Sequence, residues 1–239
     1  MIRPPQAQRV TIIAHRGVHN SRTDENTIAS FERALDDDGI DGVECDVRYS
    51  KDNQLVIAHD DKLDFGGQGD TYVSKMAANQ LAEEYSIPTL ESVFKLFENN
   101  SQKTIVIDYK TQDRTLDAIK QAEEWAAQYK CNIMHLVWQD HYDFVREYEP
   151  RHPVYFAPGG NQSRDINCDG LQRKGYTGVS LNYGDRRVDQ VLKSDHLMVN
   201  LYGQHSQRQA MLAQAVQDPG RFIITVDIPV PPQPQLKFL

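Results

Sequence analysis

The strongest constraint on the fold is a regular alternation of short apolar runs with amphipathic segments along the chain. Such runs are typical of buried strands, and the segments between them are typical of helices. The eight predicted strands are 10–14, the segment containing 44–46, 104–109, 133–137, 154–157, 178–181, 197–201 and 221–226. Helices are predicted near 27–35, 88–99, 114–129, 142–148, 165–174, 187–193 and 206–217. This order predicts an α/β fold, a (β/α)8 TIM barrel. Since no linker or composition shift divides residues 1–239, one domain is expected.

Two acidic residues, Glu44 and Asp46, lie two positions apart in the second predicted strand. Successive strand residues face opposite sides, so both carboxylates share one face. The polar run 49–53 predicts a turn and 54–58 a returning strand, which together form a β-hairpin excursion after strand 2. The hairpin brings His59 back toward the carboxylate pair. Taken alone, two acidic residues at alternating strand positions more often mark a solvent-exposed face of the strand than a metal site.

Further polar residues fall where predicted strands end, namely His15, Asp108 and Asp227. In TIM barrels the chemistry takes place at the C-terminal ends of the strands. Carboxylate oxygens suit a hard divalent cation, and an imidazole titrates near neutral pH. The pattern therefore favours a hydrolytic site that contains a divalent metal.

The overall charge excludes some classes of protein. A net charge of −8 and a pI near 5.5 argue against nucleic-acid binding. The three cysteines lack metal-ligand spacing, which suits a reducing compartment. The N-terminus lacks the apolar core of a signal peptide, and no run reaches transmembrane length. A cytoplasmic protein without stable membrane association is expected, and its oligomeric state is left open.

A series of short motifs resembles the glycerophosphodiester phosphodiesterase family of the PLC-like phosphodiesterases. The family shows HRG, PENT, E-x-D and HD in this order, then IPTLEE, E-x-K and TDxP. The corresponding segments here are His15–Gly17, Asp24–Thr27, Glu44–Asp46, His59–Asp60, Ile87–Glu91, Asp108–Lys110 and Thr225–Pro229. The resemblance is dense over residues 10–110 and thin over 111–220. Each motif alone is weak, whereas their order and spacing together are specific.

The resemblance implies hydrolysis of a small-molecule glycerophosphodiester to sn-glycerol 3-phosphate and an alcohol, with a divalent cation, Mg²⁺ or Ca²⁺. The residues that it implies for these roles are Glu44, Asp46 and Asp108 for the metal, His15 and His59 for acid–base catalysis, Arg16 and Lys110 for the phosphate, and Glu25 and Asn26 in support. His59 is expected to be the acid, because the hairpin places it further out, near the exit of the leaving alcohol.

Three departures from the family pattern bear on function. Asp24 replaces a proline, which concerns only a loop. Asp108 replaces the usual Glu and is one methylene shorter, so this residue reaches the metal directly or through water. Residues 64–72 lack the polar sequence that usually follows the HD pair, and this segment influences which substrate fits.

Two alternative functions remain open at the sequence level. A lysophospholipase D or sphingomyelinase D on the same barrel would need an apolar lip, and the segment 65–70 offers one aromatic residue. A barrel without catalysis would not need two histidines at the site. The remaining histidines outside the motifs, among them His135 and His152, are interpreted as structural or surface residues. Trp138 and Tyr202 follow strand ends and either line the substrate pocket or pack in the core or at the rim.

Overall fold

The computed structural model describes residues 9–21, 24–63, 71–98, 100–138, 148–158, 165–194 and 196–230. Eight parallel strands form a closed barrel, because the first strand pairs with both the second and the last. The strands of the structure are β1 Thr11–Val18, β2 Gly42–Tyr49, β3 Leu55–Ile57, β4 Lys62–Leu63, β5 Thr71–Tyr72, β6 Thr104–Tyr109, β7 Asn132–Trp138, β8 Val154–Ala157, β9 Gly178–Asn182, β10 Met198–Gly203 and β11 Phe222–Ile228. The barrel order is β1-β2-β6-β7-β8-β9-β10-β11, which confirms the predicted (β/α)8 fold.

Seven α-helices lie within the described residues, mostly between successive barrel strands. They are α1 Ile28–Leu35, α2 Ala78–Tyr85, α3 Leu90–Phe97, α4 Thr115–Tyr129, α5 Cys168–Arg173, α6 Arg187–Leu192 and α7 Arg208–Ala215. All of these except α2 correspond to predicted helices. The predicted helix at 142–148 lies almost wholly outside the described residues.

The hairpin excursion after β2 is confirmed by the strand pairing. β3 runs antiparallel to β2, with Val47 opposite Ile57. The backbone N–H of Ala58 then donates to the carbonyl of Asp46 at 2.9 Å. The chain that follows the hairpin is therefore tied to the strand that carries the acidic pair. The lip segment 65–70 lies outside the described residues.

The core lies between the barrel and its helices. Helix α3 begins after Thr89, whose hydroxyl accepts from Ser92 N, and it buries Leu90, Val93, Phe94 and Phe97 completely. Side chains of this size each contribute roughly 1.5–3 kcal/mol when they leave water. These side chains belong to the same buried cluster as residues of the barrel strands, so the packing holds helices and strands together.

Within the described residues, we find no helix that is both long enough and apolar enough to cross a membrane.

Candidate active site

Three carboxylates converge at the C-terminal ends of β2 and β6. The strand register places Asp46 opposite Asp108 and Glu44 opposite His15. One oxygen from each of Glu44, Asp46 and Asp108 lies within 4.8 Å of the others. All three side chains are buried, so this is not a solvated strand face. The predicted metal-binding residues are thus brought together, and such an oxygen set suits a hard divalent cation.

The electrostatics of the cluster show why it fits a cation. Burial, reinforced by the charge of Asp46, raises the pKa of Glu44 to about 8. Burial also raises the pKa of Asp108, although Lys110 opposes that shift. For Asp46 the cost of burial is outweighed by Lys110 and Arg16, and its pKa falls below the usual range. The high pKa of Glu44 indicates that the negative charge there is not fully balanced, as expected for residues that hold a cation.

Arg16 reaches the carboxylates from an unusual backbone conformation. Arg16 has φ 55° and Gly17 has φ 81°, both left-handed. A side chain at position 17 would meet Ser30 of α1 within 2.5 Å, so only glycine fits there. The Arg16 Nε atom lies 3.0 Å from Asp46 Oδ2, and Nη1 donates to Glu25 at 2.7 Å. The HRG segment thus directs the guanidinium into the site instead of toward solvent.

Asn26 and Glu25 support this arrangement from the loop before α1. Asn26 Nδ2 donates to Asp46 Oδ2 at 2.9 Å, and the Asn26 backbone N–H donates to the carbonyl of Arg16 at 3.0 Å. Asn26 itself has φ 57°, a left-handed conformation that asparagine tolerates better than most residues. Glu25 therefore contacts Arg16, and Asn26 contacts both Arg16 and Asp46.

Lys110 lies between the carboxylates and an aromatic ring. Its Nζ atom is 2.8 Å from Asp108 Oδ2 and 3.4 Å from Asp46 Oδ1. It also lies 4.4 Å from the centroid of the Trp138 ring, and the Trp138 indole N–H donates to the other Asp108 oxygen. Both oxygens of the short Asp108 side chain are therefore held by protein groups.

The two histidines occupy different surroundings. His15 Nδ1 lies 2.6 Å from Asp227 Oδ1, and its Nε2 lies 3.8 Å from Glu44 Oε2. His59 is more exposed, and its Nδ1 lies 3.0 Å from Asp60. Arg48 Nε donates to the carbonyl of His59 at 2.9 Å and fixes the backbone there. His15 thus lies beside the carboxylate cluster, and His59 lies further out.

A cavity of about 580 Å³ opens beside His59. Arg48, Lys110 and Trp138 line it together with several polar side chains, including Gln112, Asp113 and Thr115. Of the positions that the sequence left open for Trp138, the structure shows it lining a cavity. Tyr202 instead lines a much smaller cavity with Asn182 and Arg187.

Comparison with known proteins places this geometry in a family. The sequence model of the "Glycerophosphoryl diester phosphodiesterase family" matches residues 15–215. The chain belongs to this family. A relative from Mycobacterium tuberculosis, "Probable glycerophosphodiester phosphodiesterase 1", is 46% identical over 72 residues, which are 30% of this chain and 26% of the relative. The chain therefore spans about a quarter of the length of that curated relative.

Solved structures share the family's barrel. A glycerophosphodiester phosphodiesterase from Parabacteroides distasonis has a TM-score of 0.73 at 22% identity, covering 93% of this chain and 94% of its own. A phosphodiesterase from Oleispira antarctica, solved "in complex with the product sn-glycerol-3-phosphate", has a TM-score of 0.68 at 20% identity and covers 92% of both chains. At these identities the likeness shows the fold alone.

Several contacts of the site were not predicted from the sequence. Asp227 was recognised at a strand end, but nothing in the sequence pairs it with His15. Arg48 lies on the same face of β2 as Glu44 and Asp46, so the two-residue period was the signal that could have identified it. The contact of Trp138 with Asp108 joins the ends of neighbouring strands, which only the barrel order reveals.

Proposed function

We propose that this protein hydrolyses glycerophosphodiesters to sn-glycerol 3-phosphate and an alcohol with the help of a divalent cation. The observation that carries the proposal is the buried set of Glu44, Asp46 and Asp108, flanked by two cationic side chains and two histidines. Membership of the family supports the same reaction. The Oleispira antarctica relative in complex with sn-glycerol-3-phosphate supports the product.

The three carboxylates would hold Mg²⁺ or Ca²⁺, since both prefer carboxylate oxygens. The bound ion would stabilise the negative charge that develops on the phosphoryl oxygens. Arg16 and Lys110 lie beside the same carboxylates and would bind the phosphate through charge-assisted hydrogen bonds. Glu25 and Asn26 would hold Arg16 and Asp46 in place.

The histidines would transfer the protons. With His15 neutral and its proton on Nδ1, Asp227 would accept that proton's hydrogen bond, and the lone pair on Nε2 would remove a proton from the attacking oxygen. His59 would donate a proton to the oxygen of the leaving alcohol as its bond to phosphorus breaks. This assignment follows from the position of His59 at the cavity, where its side chain is more exposed than that of His15.

The cavity beside His59 would receive the leaving alcohol. Its lining carries charges of both signs and several hydrogen-bonding groups, among them Arg48, Asp60 and Asp113. Such a lining favours a small polar alcohol over an acyl chain. It therefore favours glycerophosphodiesters over the lipid substrates of the alternative phospholipase D function.

A turnover assay with a panel of metals tests the proposal. The protein is stripped with EDTA, dialysed, and assayed on glycerophosphocholine and lysophosphatidylcholine after separate addition of Mg²⁺, Mn²⁺ and Ca²⁺. We expect release of sn-glycerol 3-phosphate from glycerophosphocholine only when a metal is restored. Glu44→Gln should weaken metal binding, whereas Glu84→Gln, on an exposed helix position, is the matched control. Full activity after extensive chelation would contradict the proposal.

A further inference from the structure

A second cluster of metal-ligating side chains lies between α4 and β7. It consists of Glu123 on α4, His135 on β7, and His152 just before β8. Glu123 and His135 are fully buried, and the side chain of His152 is 25% exposed. One ligand atom from each of the three lies within 4.8 Å of the others. None of these residues belongs to the active site described above.

We propose that Glu123, His135 and His152 form a second cation site, of the nitrogen–oxygen type that binds Zn²⁺. Two imidazoles and one carboxylate are a common ligand set for zinc, with water in the fourth position. The partly exposed edge of His152 gives that water a route to the site. The chemistry differs from that of the all-carboxylate active site, which suits Mg²⁺ or Ca²⁺.

The distances between ligand atoms are close to those of a zinc site. Glu123 Oε1 lies 3.0 Å from His135 Nε2 and 3.1 Å from His152 Nδ1. Ligands at ~2.0–2.1 Å from a tetrahedral zinc ion lie about 3.3 Å apart. For these two pairs, a shift of a few tenths of an ångström gives the separation of zinc ligands, and the two imidazole ligand atoms lie within 4.8 Å of each other.

The two oxygens of Glu123 have different surroundings, and one of them faces the imidazoles. Arg151 Nε donates to Glu123 Oε2 at 3.0 Å, and Arg151 Nη2 donates to the Glu123 backbone carbonyl at 2.8 Å. The charge of Arg151 therefore lies beside Oε2. Oε1 faces both imidazoles and also accepts from the backbone N–H of His152 at 3.1 Å. His152 Nδ1 is buried, and no described residue makes an aligned hydrogen bond with it. That nitrogen lies 3.1 Å from Glu123 Oε1 and can serve as a metal ligand.

The protonation states and the outer contacts also fit metal binding. Burial lowers the pKa of His135, so its ring is neutral at pH 7. Despite its burial, the neighbouring imidazoles of His135 and His152 lower the pKa of Glu123 to about 2, so it is ionised. The Tyr109 hydroxyl lies 2.8 Å from His135 Nδ1. With the ion on Nε2, the ring proton would reside on Nδ1 and could be donated to the Tyr109 oxygen, and such an outer contact orients a metal-bound histidine.

The test uses full-length protein without a histidine tag, stripped of metal and then kept in excess Mg²⁺ to fill the active site. Zn²⁺ is titrated by calorimetry. We expect one Zn²⁺ per chain, retained in Glu44→Gln. His152→Gln should weaken binding by at least roughly tenfold, since even loss of an outer contact typically costs 10–100-fold. His196→Gln, at an exposed histidine, is the matched control and should bind like the wild type.

Two further measurements keep the test decisive. Zn²⁺ should raise the melting temperature of the wild type and of His196→Gln but not of His152→Gln. The reason is that a ligand that binds only the folded state stabilises that state. On wild-type protein alone, Co²⁺ in excess Mg²⁺ should give the visible absorption of a tetrahedral nitrogen–oxygen site, and Zn²⁺ should abolish it. The proposal would be overturned if the Co²⁺ band were absent. It would also be overturned if Glu44→Gln abolished Zn²⁺ binding while His152→Gln left it intact.

Discussion

His15 Nδ1 and Asp227 Oδ1 lie 2.6 Å apart, although 212 positions separate the two residues in the sequence. The contact exists because β1 and β11 are neighbours where the barrel closes, with Ala14 opposite Val226. Each residue directly follows one of these paired positions. Closure of the barrel therefore creates a histidine–carboxylate pair, in which the carboxylate fixes the tautomer and the orientation of the ring.

Asp227→Asn should lower kcat by roughly 10–100-fold if His15 is the base. The amide keeps the size of the side chain but no longer favours the tautomer with its proton on Nδ1, so the lone pair on Nε2 is lost from much of the population. Steady-state kinetics on glycerophosphocholine measure this effect. Asp189→Asn, at an exposed position on α6, is the matched control and should leave kcat unchanged.

The pH profile separates this role from a purely structural one. Burial lowers the pKa of His15, but the Asp227 hydrogen bond and the Glu44 charge outweigh it and raise the pKa above the usual value. A base is active when neutral, so kcat/KM should rise as pH increases through this pKa. Because Asp227→Asn removes one of the interactions that raise the pKa of His15, the rise of kcat/KM with pH should occur at lower pH. An unchanged pH dependence together with an unchanged rate would contradict the role of Asp227.

His59→Ala and His15→Ala should respond differently to the leaving group. An aryl oxide leaves without a proton, so a variant that lacks the acid recovers much of its loss on an activated aryl phosphodiester. A variant that lacks the base does not recover. Each proton transfer contributes typically ~10²–10⁴-fold. We expect recovery by His59→Ala, because His59 lies beside the cavity. Recovery by His15→Ala would reverse the assignment, and equal unrescued losses would exclude both residues as the leaving-group acid.

Asp108→Glu should retain activity within about threefold, whereas Asp108→Ala should lose roughly 10–100-fold or more, because removing even an outer contact of a metal site typically costs this much. The family usually carries Glu here, and the neighbouring Lys110 and Trp138 side chains already contact both oxygens of Asp108. The longer side chain can keep these partners while it extends toward the ion. Activity and Mg²⁺ affinity are measured for both variants. Equal losses would place the ion closer to β6 than the family pattern implies.

The barrel could be predicted from the sequence because its strands are buried on both faces. Residues such as Ile105, Val106 and Ile107 therefore form continuous apolar runs. Helix α2 was missed because its N-cap is Ala77, which cannot accept a side-chain hydrogen bond, and because it buries only Ala78 and Leu81. Neither a capping residue nor a wide apolar face signals this helix.

The site residues on β1, β2 and β6 could be predicted from the sequence. Their positions follow from the two-residue alternation of a strand and from the points where the strands end. Contacts between distant elements could not be predicted in this way. Glu123 and His135 look like an ordinary helix acid and a strand histidine. Their contact depends on the rotation of α4 against β7, which the sequence does not encode in any local pattern.

Glu123→Gln should destabilise the protein by about 2–3 kcal/mol near neutral pH in the presence of a chelator. The amide has the same shape but removes the charge that Arg151 and the two histidines contact, and losing charged hydrogen bonds of buried groups costs this much.

The pKa of Glu123 lies below its usual 4.5, at about 2. The stabilisation from the carboxylate is thus complete above about pH 4.5 and is lost as pH falls toward about 2. Urea unfolding should show the largest difference between wild type and variant at neutral pH and a smaller one near pH 3. Glu124→Gln, at the neighbouring exposed position, should match the wild type throughout. A difference that stays constant with pH would mean that the shape of the side chain, and not its charge, stabilises this cluster.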